Sequence, residues 1–313
     1  MQYRPMGKSG VRVSVVGIGA NRFGYERMPQ EEVNRVIAAA ADMGVNFLDS
    51  ADVYTGGRSE ETIGVALKGR RGQFVVATKY FNKTGEGPND WGASRLHLYD
   101  AVEASLRRLQ SDHIDLLYVH NFDPATPFEE MLRGLDDLVR AGKVRYIGAS
   151  NFHAWTVAHA NLLASFQGWS PFVVSQNHYH MLERGAEAEL LPFCRSQSVG
   201  LIPYFPLAGG FLTGKYRQGQ PAPAGSRGET NPYVQKYMTP ANYALVDRLT
   251  AWAAERGHTS GELAIAWLLS HPVVSSVISG ATRLEHLQDN AKAAGWELTP
   301  AEIEEVERLL QPA

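Results

Sequence analysis

Asp49, Lys79 and His120 are residues that acid–base chemistry uses, and each stands at the end of a short, largely apolar run. Ser150, Asn151, Gln176 and Tyr204 stand in the same way at or just past the ends of three further runs. Tyr54 follows Asp49 by five residues in Asp-Ser-Ala-Asp-Val-Tyr. A tyrosine used as a general acid needs help, because its reference pKa is about 10. A neighbouring ammonium favours the phenolate and lowers that value. Lys79 supplies such a charge, Asp49 would pair with Lys79 and fix it, and His120 would offer a nitrogen donor to orient a carbonyl oxygen. The chemistry is proton donation to a carbonyl with an electrophilic positioner. The set holds no nucleophile beside a base, which points away from acyl transfer. Taken singly, each residue has a plain structural role: Asp49 could cap a turn, Lys79 could be solvated, and His120 could be a hydrogen-bonded core histidine. Taken together they share one end of their runs, where chance would scatter them to both.

The elements that would position them alternate. Strand-like runs cover 15–19, 47–49, 74–79, 114–120, 144–150, 173–177, 200–205 and 276–279, with helix-periodic stretches such as 31–43, 60–67, 96–109, 128–141 and 186–197 between them. Strands separated by helices imply crossovers and a parallel sheet. Eight such units predict a closed (β/α)8 TIM barrel rather than an open doubly wound sheet, and all C-terminal strand ends of that fold meet on the face where active sites are built. Outside the repeat, 3–5 and 11–13 flank Gly-Lys-Ser-Gly and predict an N-terminal β-hairpin that could plug the barrel bottom. Residues 207–240 are rich in Gly, Pro and polar groups without a period, as in a binding loop or lid. The extra C-terminal helical part ends in 301–310, with Thr299 as N-cap and Pro300 at the first helical position. No linker divides the sequence, so residues 1–313 read as a single domain.

Composition narrows the function classes. Hydrophobic residues make up 44% and charged residues 20%, ordinary globular usage. A net charge of −3 lacks the clustered basic excess of a nucleic-acid binder. No apolar run reaches the roughly 18 residues of a membrane helix, and the opening Met-Gln-Tyr-Arg-Pro-Met-Gly-Lys has no apolar core of a secretory signal. Cys194 is the one cysteine, so no internal disulfide, zinc cluster or redox pair is available. A cytoplasmic protein is expected, in which the Asn82-Lys83-Thr84 sequon is incidental; the oligomeric state is not readable.

Three look-alikes fail on their spacing. Gly17-Ile-Gly19 follows a strand, but the next glycine is Gly24, which breaks the dinucleotide fingerprint. Gly209-Gly-Phe-Leu-Thr-Gly-Lys-Tyr216 nearly spells a P-loop, with Tyr216 where Ser or Thr should hold magnesium. His178-Tyr-His180 resembles half of a metal site, and only His120 with Asp49 could complete it.

The sequence resembles the aldo-keto reductase family from the first hairpin to the last helix. Its Asp, Tyr, Lys and His tetrad corresponds to Asp49 and Tyr54 in Phe-Leu-Asp-Ser-Ala-Asp-Val-Tyr, Lys79 in Val-Ala-Thr-Lys, and His120 in Asp-Leu-Leu-Tyr-Val-His. Further matches are Gly148-Ala-Ser-Asn-Phe, Gln176-Asn-His-Tyr, Tyr204-Phe-Pro-Leu, Leu212-Thr-Gly-Lys-Tyr, and Gly280-Ala-Thr-Arg followed by Asp289-Asn290. The resemblance is strongest to bacterial-type reductases and extends to potassium-channel β subunits, which replace the histidine. It implies a nicotinamide cofactor extended across the barrel top and a small-molecule carbonyl substrate. Ser150, Asn151 and Gln176 would bind the carboxamide, Tyr204 would stack on the ring, and Asn21 would join the cofactor-binding set. Pro206, Leu207, Gly209, Lys215 and Arg227 would line the pyrophosphate path; Gly280, Thr282, Arg283, His286, Asp289 and Asn290 would hold the adenosine end. A helix after Gly280-Ala-Thr would bring free N–H groups to a phosphate. Arg283 could grip a 2′-phosphate in bidentate fashion, favouring NADPH, with NADH possible. His286 stands where relatives often carry Gln or Arg, which weakens phosphate discrimination. The sequence ends without the long C-terminal loop that covers substrate in many relatives, so 81–95, with Trp91 as an aromatic wall, would shape the pocket together with the segment after Leu207. Two alternatives stay open: a cofactor-sensing regulatory binding protein, and the same site working mainly as an alcohol dehydrogenase.

Overall fold

In a computed structural model that describes residues 1–311, the valine- and isoleucine-rich runs form strands and the periodic stretches form helices. A two-stranded antiparallel hairpin comes first, β1 (Tyr3–Pro5) with β2 (Arg12–Ser14). Then follow β3 (Val16–Gly19), β4 (Phe47–Asp49), β5 (Val75–Tyr80), β6 (Ile114–Val119), β7 (Val144–Ser150), β8 (Phe172–His178), β9 (Gly200–Tyr204) and β10 (Val277–Gly280). They pair in parallel, each with the next, and β10 returns to β3 to close the barrel. The fold is therefore a (β/α)8 TIM barrel with an N-terminal hairpin. The first crossovers are α1 (Gln30–Asp42), α2 (Arg58–Ala66), α3 (Arg95–Leu109), α4 (Phe128–Arg140), α5 (Ala154–Gln167) and α6 (Leu190–Gln197).

The barrel's inside and outside are separately apolar, which is why its strands do not alternate with polar residues. Phe47, Ala77, Leu116, Tyr118, Val174, Ile202 and Ile278 fill the interior together with Met6 and Val13 of the hairpin. The hairpin thus plugs the barrel bottom, as expected. Its turn depends on Gly7, whose φ is +54° and whose added Cβ would lie 2.3 Å from the Val173 carbonyl oxygen and 2.7 Å from that of Ser198. Gly7→Ala is expected to destabilise the protein by about 1–3 kcal/mol, through overlap with backbone that cannot give and a strained φ. Urea denaturation measures it; an unchanged midpoint would show that the plug can shift freely.

Between β9 and β10 the chain departs from the sequence expectation. The segment read as aperiodic contains a 3-10 turn (Ala208–Thr213) and two one-turn helices, α7 (Arg227–Thr230) and α8 (Pro232–Gln235). Pieces this short carry no readable period, and Gly209 and Gly210 break the turn internally with φ of +68° and +95°. Then come α9 (Pro240–Ala254) and α10 (Ser260–Leu269), and, after β10, α11 (Leu284–Ala293) and α12 (Pro300–Leu310). Thr299 caps α12 as predicted, in a capping box with Glu302, and Thr259 does the same for α10 with Glu262. No helix among the described residues is long and apolar enough to cross a membrane.

Candidate active site

β4 and β5 lie side by side in register, Asp49 opposite Ala77, so the two charged side chains at their ends share one compartment. Lys79 is fully buried and Asp49 is 3% exposed. The Lys79 ammonium donates to Asp49 Oδ1, to the Ser50 carbonyl oxygen at 2.6 Å and to the Tyr54 hydroxyl at 3.5 Å. Burial alone would push the lysine down, but Asp49 and Tyr54 beside it outweigh this and hold it above its ordinary value, so it stays charged. Gln176, reaching in from β8, donates its amide to Asp49 Oδ2 at 2.8 Å. A solvated Lys79 and a turn-capping Asp49 are both excluded.

Tyr54 arrives by a tight turn. It starts a 3-10 segment, Tyr54–Gly57, in which Thr55 takes φ +52° and fastens its hydroxyl to the Phe23 carbonyl oxygen at 2.7 Å. The sequence argument expected Lys79 to lower the Tyr54 pKa, and the net direction is the reverse. Burial pushes the phenol up, and the pull of Lys79, itself opposed by Asp49, does not overcome it. The hydroxyl therefore keeps its proton across the ordinary pH range. His120 lies edge-on to the Tyr54 ring, centroids 5.9 Å apart. Burial first, then the Lys79 charge, lower its pKa to about 3, so the imidazole is neutral. Its Nδ1 meets the Asn82 amide at 3.0 Å.

The residues past β7, β8 and β9 form a linked set. Asn151, with φ +59°, donates its amide to the His120 carbonyl oxygen at 2.9 Å and to Ser150 Oγ at 3.2 Å. Its Oδ1 accepts from the Tyr204 hydroxyl at 2.9 Å. The Tyr204 ring stacks on His178 with planes within 5°. Behind it the His178 and His180 Nε2 atoms face each other at 3.0 Å, and no group of three His, Cys, Asp or Glu side chains able to hold a metal occurs among the described residues.

Asp49, Tyr54, His120, Ser150, Asn151, Gln176 and Tyr204 open on a cleft of about 1800 Å³, behind which Lys79 is sealed. Asn21, Pro206, Leu207, Gly209, Lys215, Arg227, Gly280, Thr282, Arg283, His286, Asp289 and Asn290 line it too, so the whole sequence-derived cofactor set is brought together. Arg283 is the N-cap residue of α11, and Thr282 Oγ1 lies 3.3 Å from His286 Nδ1. Burial, with Arg283 and Lys215 nearby, holds His286 below its usual pKa. Trp91 is the exception: half exposed, it packs edge-on against Phe81 and, with residues 81–88, lines a smaller pocket, while it does not line the main cleft.

The sequence reading missed three site residues. Arg22, one step beyond Asn21, lines the cleft near Arg227; Asn82, three residues past Lys79, holds His120; and Asp52 lies behind Tyr54. The first two sit just past strand ends, a signal open to a reader of the sequence. Asp52 is 3% exposed, and among the described residues neither carboxylate oxygen has a side-chain hydrogen-bond partner. Burial, and then Glu60, push its pKa up to about 8. Between pH 4 and 8 the folded state then holds a proton that the unfolded state has lost, so stability falls as pH rises, by up to about 1.4 kcal/mol per unit from this group. Asp52→Asn is expected to remove that slope, so that urea midpoints of variant and wild type diverge from pH 5 to 8; parallel curves would refute it.

The cleft's charges bear on what fills it. Arg22, Lys215, Arg227 and Arg283 line it, and none forms an ion pair among the described residues. Burial, then Arg22, push Arg227 below its ordinary pKa. Arg22 and Arg227 are half-buried while Lys215 and Arg283 are exposed, and like charges facing one space, two of them partly desolvated, favour an anion between them. A dinucleotide's phosphates would supply it, and the residues present fit such a cofactor.

Comparison with known proteins gives the same direction. The model of the Aldo/keto reductase family matches residues 15–311. A probable voltage-gated potassium channel subunit beta of Arabidopsis thaliana is 39% identical, over 99% of this chain and 97% of its own. An aldo-keto reductase of Fusarium vanettenii is 32% identical, over 100% of this chain and 92% of its own. The versiconal hemiacetal acetate reductase of Aspergillus parasiticus is also 32% identical, over 100% and 98%. A closed barrel, a buried lysine–aspartate pair under a tyrosine, and a family match over nearly the whole length agree: this chain belongs to the aldo/keto reductase family.

Proposed function

We propose that the protein is an NADPH-dependent oxidoreductase that reduces aldehydes or ketones to alcohols, with Tyr54 as general acid. The observation that carries this reading is the Tyr54 hydroxyl within 3.5 Å of a fully buried, Asp49-paired Lys79 ammonium at the mouth of the cleft. Family membership supports an oxidoreductase. When bound, the nicotinamide supplies the hydride. The protein's own residues hold the proton and aim the carbonyl. Tyr54, kept protonated by burial, donates to the carbonyl oxygen, and Lys79 steadies the phenolate left behind. Neutral His120 orients that oxygen. Tyr204 would offer a flat ring to the nicotinamide, and Ser150, Asn151 and Gln176 would meet the carboxamide. The Asn151 amide is already committed to His120, Ser150 and Tyr204, so it would exchange one of these bonds on cofactor binding.

Arg283, at the start of α11, would take the 2′-phosphate. Arg283→Ala is therefore expected to weaken NADPH binding about tenfold to a hundredfold, the worth of a charge-assisted bond, and NADH binding little. Tryptophan quenching on titration with each cofactor measures this, and NADPH absorbance loss over an aldehyde panel tests turnover. Equal losses for both cofactors would reject the phosphate role. The 39% identity to a channel subunit beta supports a second reading, a cofactor-sensing partner protein; tight NADPH binding with no turnover on any aldehyde would favour it.

A further inference from the structure

We propose that Asn82 is a positioning residue that sets the tautomer of His120: its amide Nδ2 donates to the ring Nδ1, so the imidazole carries its proton on Nε2, the nitrogen left open to the cleft. Three observations carry this. First, Asn82 Nδ2 is 3.0 Å from His120 Nδ1, and Asn121 Nδ2 donates to Asn82 Oδ1 at 3.2 Å. With the Asn121 amide oriented so that its Nδ2 donates, the Asn82 Oδ1 is taken and Nδ2 is the end that faces the ring. A ring nitrogen that accepts cannot also hold the proton, so in a neutral imidazole the proton sits on the other one.

Second, His120 Nε2 has no hydrogen-bond partner among the described residues and is not among the buried unpartnered atoms, while the residue lines the cleft. That nitrogen is free for a ligand. Third, the chain is held in a costly shape to present Asn82. Phe81, the residue before it, has φ +138°, a region that a phenylalanine leaves unless its surroundings fix it. Gly92 N–H donates to the Phe81 carbonyl oxygen at 2.7 Å, and the Trp91 ring closes on the Phe81 ring edge-on. Backbone strain of this kind next to a site residue marks a position that the fold over-determines. The loop 81–92 thus serves the reacting centre through one amide.

The consequence rests on the carbonyl-reducing reading. With Nε2 protonated, His120 is a donor toward the carbonyl oxygen; with the other tautomer, a lone pair would face that oxygen and repel it. Lys79 and burial keep the ring neutral, so a second proton does not make the choice irrelevant.

The test reads the tautomer directly. In cofactor-free protein labelled with 15N-histidine, the long-range proton–nitrogen spectrum, assigned with His120→Gln, is expected to show Nε2 as pyrrole-type and Nδ1 as pyridine-type from pH 5 to 8. Asn121→Asp then reverses the relay without touching His120: a carboxylate there accepts from Asn82 Nδ2 and turns Asn82 Oδ1 toward the ring. The expected result is a protonated Nδ1, a pyridine-type Nε2, and a fall in kcat/KM for aldehyde reduction of about 10²–10³-fold, as for loss of one preorganised donor. A wild-type ring protonated on Nδ1 overturns the proposal. So does a folded Asn121→Asp protein with the wild-type tautomer. If the tautomers behave as stated while neither protein reduces any aldehyde, the assignment to Asn82 stands and the reductase reading falls.

Discussion

Tyr54→Phe is expected to lower kcat for aldehyde reduction by about 10²–10⁴-fold, the usual worth of a positioned general acid, while leaving NADPH affinity unchanged. Phenylalanine keeps everything the ring does and loses only the hydroxyl with its proton. The ring packs edge-on to His120 and lies under the Lys79 ammonium, 5.0 Å from its centroid, and both contacts survive the substitution. The hydroxyl's hydrogen-bond partner is Lys79 at 3.5 Å, a long bond, while the ammonium keeps Asp49 and the Ser50 carbonyl. The fold therefore loses little. Stopped-flow mixing with NADPH and a reactive aldehyde separates chemistry from binding. Full turnover by the variant would remove Tyr54 from the mechanism and shift attention to His120 as acid, a role its low pKa disfavours.

The barrel and the identity of the acidic and basic groups were legible because the sequence breaks a rule there. Buried parallel strands have no reason to end in Asp49, Lys79 or Gln176, and chance does not gather such residues at one end. The direction of the Tyr54 shift was not legible. It is a balance between one favourable charge and the desolvation of a phenol, and only coordinates give the burial that decides it. The placement of Trp91 was not legible for a related reason: the loop's course, set by the strained Phe81 against whose ring the indole packs, puts it at a smaller pocket away from the main cleft. The inner structure of 207–240 was hidden because its helices are one turn long, below any period. Asp52 was in plain view between Asp49 and Tyr54. Its importance is an absence of partners, and absence has no signature in sequence.

Lys79→Met should have the largest effect on stability, because it leaves the Asp49 carboxylate sealed inside the barrel mouth with the Gln176 amide as its remaining side-chain donor. Breaking a buried ion pair from one side costs about 3–5 kcal/mol, far more than a surface pair is worth. The pH dependence identifies the cause. Burial already pushes the Asp49 pKa up, and Lys79 is what opposes it. Without Lys79 the folded carboxyl keeps its proton to higher pH than the unfolded one, so the folded state binds more protons and stability falls as pH rises through the gap between the two values. The variant's deficit against wild type should therefore be larger at pH 8 than at pH 5. Adding Asp49→Asn removes the stranded charge, and the double variant is expected to regain part of the stability while remaining inactive, since no ammonium is left to support the Tyr54 oxygen. Urea midpoints for the two single variants and the double form a closed cycle. Additive losses would mean that Lys79 and Asp49 contribute independently; a double variant more stable than Lys79→Met alone is what a coupled, catalytically retained pair requires.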